Sequence, residues 1–432
     1  MARPISPGSE WSARRKSRFR GLVLLGLPLL LAACVGSGSL LPPGRVGGGS
    51  APMSDSVPPA PMGSITAQPI DAVPGQGAPV GGAALGAGSV KVALILPLSG
   101  PGQGAVAAQS MRNAADLALT DFQGSDLQLL VKDDRGTPDG ARQATGEAIA
   151  EGAELIIGPL YAGSVQATAG VARQAGRPVV AFSSDSNVAA RGVYLLSFLV
   201  QEEVERIVSY AASQNRRSIA ALIPETTYGS VVDAAFREAA GRHGVRVVAI
   251  ERYASGGAAA AVRRLAGVIG GASPQADALF IPDNGDGLPT VAQALAGIGF
   301  DPGRVKPLGT GVWNEPRVFA LPALQGGWFA APDGRGFEAF SQRYRARFNM
   351  DPTRLATLSY DAVTLAAALS RTQGSRRFQE DVITNPAGFA GADGVFRFNP
   401  DGTNSRGLAV QEIRGGTIAI VSASPRTLAA AQ

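Results

Sequence analysis

The chain has 432 residues, enough for two lobes, and its 39 basic and 34 acidic side chains give a formal charge of +5 and a pI near 9.6. The excess is local: residues 1–33 hold Arg3, Arg14, Arg15, Lys16, Arg18 and Arg20 against Glu10, the remainder balances, and the high pI is no argument for nucleic-acid binding. One cysteine, Cys34, and one histidine, His243, leave no disulfide, no cysteine metal site and no two-histidine metal site, and a Ser-His-Asp hydrolase is not indicated.

In chain order, the basic residues precede an apolar run, Leu22 to Leu31, too short to span a bilayer, and then Leu31-Ala32-Ala33-Cys34. This signal-peptide pattern resembles a bacterial lipobox. The resemblance implies a signal over 1–33, cleavage before Cys34 and lipid attachment to its sulfur. Val35 stands where an aspartate would resemble the inner-membrane retention signal, so the expected location is the outer membrane, facing the periplasm. Residues 34–88 are rich in Gly, Pro, Ala and Ser, with only Arg45, Asp55 and Asp71 charged, and predict a disordered tether. A flexible chain of that length has an r.m.s. reach of about 40 Å.

The folded part is predicted from residue 89. Strands are expected at Val92 to Leu96, Leu127 to Val131, Glu154 to Ile157 and Val179 to Phe182, with helices at Ala105 to Phe122, from Pro138, and at Val165 to Ala175. Their apolar runs suit parallel strands covered on both faces. A second alternating series follows. Helices 201–214, 230–242, 258–270 and 288–298 are interleaved with strands 219–223, 245–250, 277–281 and 305–308. After Trp313 come a strand over 323–330, helices 335–348 and 354–370, and short strands at 395–398, 407–413 and 417–421. Two such series predict an α/β fold of two doubly wound, Rossmann-like lobes.

In open α/β sheets, ligands sit outside the carboxyl ends of the strands. The polar loops 158–164 and 183–187 lie at such ends and make Ser164, Ser184, Asp185 and Ser186 candidates for a cleft. The same residues can equally cap helices and turn the chain. Tyr228, at the start of the second lobe's first crossover helix, and Asp283-Asn284, at a strand end, are candidates on the opposite wall. Asp133-Asp134 closes the second strand. Adjacent strand residues point to opposite faces, so only one can face a site and paired-carboxylate glycosidase geometry is not indicated. Gly100-Pro101-Gly102-Gln103-Gly104 departs from a dinucleotide fingerprint, there is no P-loop, and no cofactor, metal or catalytic residue is expected.

With these residues in hand, the chain resembles type I periplasmic binding proteins of the leucine/isoleucine/valine-binding kind. The resemblance rests on Val92-Ala93-Leu94 with Leu98-Ser99-Gly100-Pro101, Asp133-Asp134, Ile157-Gly158-Pro159-Leu160, Tyr228-Gly229 and Gly394-Val395-Phe396 with Asp401-Gly402. It implies three crossovers and hinge closure, with lobe 1 at 89–198 and 312–388 and lobe 2 at 199–311 and 389–432. Within that superfamily, Pro178 to Ser183, Asp185, Val188-Ala189, Gly192-Val193-Tyr194, Glu203-Val204-Glu205-Arg206-Ile207 and Tyr210-Ala211 resemble the penicillin-binding-protein activator lipoproteins. That resemblance implies a non-catalytic lipoprotein whose partner is a peptidoglycan synthase, a bifunctional penicillin-binding protein. The alternative is a receptor that delivers an amino acid or a similar small solute to an ABC importer permease. The amino-acid receptors' carboxylate-binding positions fall on Ala162, Ser184 and Ser186, and their ammonium-binding acid falls on a loop that here reads Gly309-Thr310-Gly311.

Overall fold

The computed structural model describes residues 84–122 and 126–428. The signal, Cys34 and residues 34–83 of the expected tether lie outside the described residues.

The first lobe is built on β1 (Ala84–Leu85), β2 (Val90–Leu96), β3 (Leu127–Asp133), β4 (Leu155–Ile157), β5 (Val179–Ala181) and β6 (Val193–Leu195), joined by α1 (Gln103–Asp121), α2 (Pro138–Ala150) and α3 (Ala162–Gln174). The sheet order is β1-β3-β2-β4-β5-β6, parallel except for β1. Strand β2 shows why an unbroken apolar run is needed. Val92, Leu94 and Leu96 pack with Ala108 and Met111 of α1, whereas Ala93 and Ile95 pack with Ala148 of α2 and Val165 of α3. Strand β1 corrects the tether boundary: Ala84 and Leu85 pair with Leu130 and Leu129, so ordered structure begins inside the span read as tether. Their apolar side chains had too little sequence context to register as a strand.

The second lobe begins with α4 (Val200–Ser213) and continues through β7 (Ser218–Pro224), α5 (Thr227–Arg242), β8 (Arg246–Tyr253), α6 (Ala258–Ile269), β9 (Ala278–Phe280), α7 (Leu288–Gly297), β10 (Lys306–Gly309), α8 (Pro316–Phe319) and β11 (Trp328–Ala331). The chain then returns to the first lobe with α9 (Gly334–Phe348), α10 (Ala356–Thr372), α11 (Glu380–Ile383) and a small antiparallel sheet of β12 (Phe389–Gly391), β13 (Gly394–Phe398) and β14 (Asn404–Arg406). It closes on β15 (Ala409–Arg414) and β16 (Thr417–Ser422), which complete the second sheet in the order β16-β15-β11-β10-β9-β7-β8. Three crossovers therefore join the lobes, near Ser197, Pro332 and Gly407.

Two segments lie in the other lobe from the one expected. Of the span 312–388 expected in the first lobe, residues 312–331 belong to the second: β11 pairs with β10 and β15 in the second sheet, and Trp313 is buried in that lobe's core with its Nε1 donating to the Ile281 carbonyl at 3.0 Å. The change of pattern after Trp313 marks a last strand of lobe 2 and not a return. Conversely, 389–406 was assigned to the second lobe, but Phe396 and Phe398 are buried in the first lobe's core. The Asn404 side chain donates to the Leu195 and Ser197 carbonyls at 2.8 and 2.9 Å, which ties β14 to the end of β6.

The crossovers are locked by a buried ionic cluster. The Arg406 guanidinium donates through Nε to the Ser197 carbonyl at 3.0 Å and lies over the Phe198 ring, 4.8 Å from its centroid. Arg354 holds Asp393 through two 2.8 Å bonds and also lies against the Phe198 ring, 4.4 Å from its centroid. Asp361 accepts from the Ala392 amide at 2.7 Å, and its charge and that of Asp393 face Arg406.

Candidate functional site

The carboxyl ends of the strands carry the candidate groups. On lobe 1, Thr137 caps α2 by accepting from the Gly140 amide at 3.0 Å, and Asp133 and Asp134 take opposite directions as strand geometry requires. Asp133 accepts from the Ser99 and Arg135 amides at 3.2 and 2.9 Å. Asp134 is fully buried, with Oδ1 accepting from the Gly136 amide at 2.9 Å. Burial lifts the pKa of Asp134 from 3.8 to about 6, against the bond from the Gly136 amide. Its Oδ2 and the buried Ser164 Oγ have no hydrogen-bond partner among the described residues. Ser164 therefore sits beneath the surface beside Asp134, in the first turn of α3, and does not line an open wall.

Tyr161, just before α3, covers this pair. Its hydroxyl lies where a Cβ at position 104 would stand, so the glycine in the first turn of α1 is what admits the ring. The loop after β5 is more open. Ser184 and Asp185 are exposed, and Asp185 caps a short turn by accepting from the Asn187 amide at 3.0 Å. Ser186 accepts from Gln201 Nε2 at 2.8 Å, a bond that links the lobe 1 loop to the first turn of α4.

On lobe 2, Thr226 caps α5 through the Gly229 amide at 3.0 Å, which sets Tyr228 in the first turn. The Tyr228 hydroxyl meets Thr310 Oγ1 at 2.7 Å. Its pKa is raised by burial and further by the charges of Glu203 and Asp283, so these three side chains share one neighbourhood. Tyr253 donates to Asp283, whose Oδ1 also accepts from the Asn284 amide at 2.8 Å. Asn284 Oδ1 accepts from the Asp286 and Gly287 amides at 3.0 and 3.2 Å and shapes the entry to α7.

The loop that reads Gly309-Thr310-Gly311 has no acid of its own, and the structure supplies one from elsewhere. Glu203, in the first turn of α4, accepts from the Gly311 amide through Oε2 at 2.8 Å. A carboxylate is favoured at that helix position by the helix dipole, while Val204, Ile207 and Val208 turn into the core. Burial lifts the Glu203 pKa from 4.5 to about 7, against the Gly311 amide and the charge of Arg354. Of the sequence candidates, Ser164 lies beside Asp134, Tyr228 and Asp283 lie with Thr310 and Glu203, and Ser184, Asp185 and Ser186 stand apart on the loop after β5. Among the described residues no hydrogen bond joins Ser164, Ser184 or Asp185 to Tyr228, Asp283 or Asn284. Glu203, Thr310, Gln201 and Asp134 were not among the candidates. For Glu203 the available signal was a first-turn acid just after a crossover.

His243 is not a free surface group: its Nε2 meets Glu205 Oε1 at 2.6 Å, joining the end of α5 to α4. No group of three or more His, Cys, Asp or Glu residues suited to a metal ion occurs among the described residues. Nor is any helix among them long and apolar enough to cross a membrane.

No curated protein sequence matches the chain significantly. Among solved structures, it is similar to a candidate branched-chain amino acid ABC transporter protein from Rhodospirillum rubrum, with 19% identity, a TM-score of 0.67, and 77% of this chain and 99% of that one covered. A substrate-binding protein of the branched-chain amino acid transporter from Streptococcus pneumoniae, in complex with isoleucine, matches at 19% identity and TM-score 0.53, over 78% of this chain and 99% of that one. A solute-binding protein from Rhodopseudomonas palustris in complex with benzoate matches at 19% identity and TM-score 0.55, over 80% and 98%. These likenesses concern the fold. A family model described as periplasmic binding protein matches residues 89–417. Two parallel-rich lobes, three crossovers and polar groups gathered at the strand ends agree with that match, and the chain belongs to the periplasmic binding protein family.

Proposed function

We propose that the protein is a non-catalytic, lipid-anchored regulator of peptidoglycan synthesis that works by contacting a peptidoglycan synthase from the outer membrane. The observation that carries this reading is the state of the strand-end groups. Tyr228 is bonded to Thr310, Ser186 to Gln201, Asp283 to Tyr253, and Glu203 to Gly311. Each of these bonds is made within the chain, and a ligand entering at these groups has to displace it, while Gln201 Oε1, Asp134 Oδ2 and Ser164 Oγ stay without a partner among the described residues. The lipobox at Cys34 and the long Gly/Pro-rich segment after it support a fold held at a distance from the membrane. In-cell crosslinking of the full-length protein, followed by partner identification, tests the reading. Capture of a bifunctional penicillin-binding protein supports it, and capture of an importer permease alone overturns it.

A second reading, delivery of an amino acid or similar solute to an ABC importer, is favoured by Glu203. A buried carboxyl at the Gly311 amide puts an acid at the loop where amino-acid receptors hold an ammonium. Titration with leucine, isoleucine and valine separates the two readings.

A further inference from the structure

The edge of lobe 1 farthest from the cleft contains a depression of about 690 Å³, lying against the amino ends of β5 and β6 and the carboxyl end of α3. Ala172, Val179, Val193, Tyr194 and Phe378 form an apolar floor. Its volume falls in the range of about 300–1,000 Å³ usual for small-molecule sites. Three arginines reach it, Arg173, Arg177 and Arg191. Arg191 is neutralised by Glu380 at 2.7 Å. Arg173 and Arg177 have no side-chain hydrogen bond or ion pair among the described residues, and Arg177 Nε is buried without an acceptor.

The end of α3 attracts a cation and so accounts for Arg173. It does not account for a guanidinium donor removed from water and left unmatched at Arg177, which is costly unless an acceptor arrives. A planar fork of donors is suited to a carboxylate or a phosphate. An apolar floor beside one unmatched guanidinium donor, with a second, solvent-facing arginine next to it, calls for one ligand chemistry. We propose that this depression is a second binding site, distinct from the interlobe cleft, for an amphipathic anion: a single carboxylate or phosphate on an apolar body. The anion bonds Arg177 and Arg173, and the apolar body covers Val179, Val193 and Phe378.

The test is photoaffinity labelling of the full-length protein with a diazirine-bearing decanoate, mapped by peptide mass spectrometry. Expected labels fall within residues 169–194 and 378–380. Arg177→Ala and Arg173→Ala each lower labelling about tenfold or more, as loss of a bond to a charged group implies. Tyr228→Phe, in the cleft, leaves labelling unchanged. Decanoate and decyl phosphate compete and decylamine does not, and the stronger of the two competitors tells a fatty-acid source from a lipid phosphate. Arg173 is exposed, so its variant keeps the test independent of folding. Absence of labelling, labels confined elsewhere, or labelling insensitive to both arginine substitutions overturns the proposal.

Discussion

Glu203 and Gly311 are 108 residues apart, and the carboxylate of one accepts the amide hydrogen of the other at 2.8 Å. The bond joins the first turn after the first crossover to the loop that ends β10. It brings an acid to a loop that has none, beside the Tyr228–Thr310 pair, and it depends on the missing side chain at 311. A Cβ there would stand 2.6 Å from Glu203 Oε1.

Gly311→Ala is therefore expected to destabilise the fold by about 1–3 kcal/mol through overpacking. Glu203→Ala leaves the Gly311 amide unmatched and costs a similar about 1–3 kcal/mol. The double variant should lose less than the sum of the two, because the clash and the bond both involve the Glu203 carboxylate. Urea unfolding of the four proteins measures the coupling, and strict additivity would falsify the contact.

Stability should fall as pH rises. Glu203 and Asp361 have pKa values lifted from 4.5 and 3.8 to about 7, and Asp134 from 3.8 to about 6, in each case chiefly by burial. A folded-state pKa above the ordinary one means that the folded chain holds protons the unfolded chain has released. The contribution is fully present below the ordinary pKa and is lost as pH rises through the folded value. For Glu203 alone the difference is on the order of 3 kcal/mol at 1.36 kcal/mol per pH unit. Thermal midpoints should drop between about pH 5 and about pH 8, and Glu203→Gln should flatten the drop. A midpoint that rises over this window contradicts the burial of these carboxyls.

Placement of β13 in lobe 1 has its own consequence. Phe398 is 1% exposed, with ring centroids 5.6 Å from Tyr194 and 5.7 Å from Phe396. Phe398→Ala should cost about 3–5 kcal/mol. Hydrogen exchange should accelerate in β2 to β6 more than in β7 to β11. The reverse order would return this segment to lobe 2.

For the cleft, free leucine, isoleucine and valine are expected to bind no tighter than about 0.1 mM, since each must displace bonds worth roughly 0.5–1.5 kcal/mol apiece. Calorimetric titration decides it. Micromolar binding that is lost in Tyr228→Phe would favour the importer reading, and Glu203→Gln should then weaken it further.

The number and order of the layers were legible along the chain. Apolar runs such as Leu155–Ile157 and Val179–Ala181, each stopped by Gly, Pro or polar residues and separated by helical periods, report parallel strands covered on both faces. That pattern is local, and local patterning is enough to specify two doubly wound lobes. Strand pairing is not local. Trp328–Ala331 and Gly394–Phe398 are both short apolar runs, and nothing in either says which sheet it joins. Pairing with Ala409–Arg414 and packing against Tyr194 decide that. The site divides the same way. Strand-end loops pointed to Ser184, Tyr228 and Asp283, because position along a parallel strand tells which end a residue occupies. The burial of Asp134 beside Ser164 and the reach of Glu203 to Gly311 exist only once distant segments are brought together, since desolvation and hydrogen bonding depend on neighbours in space.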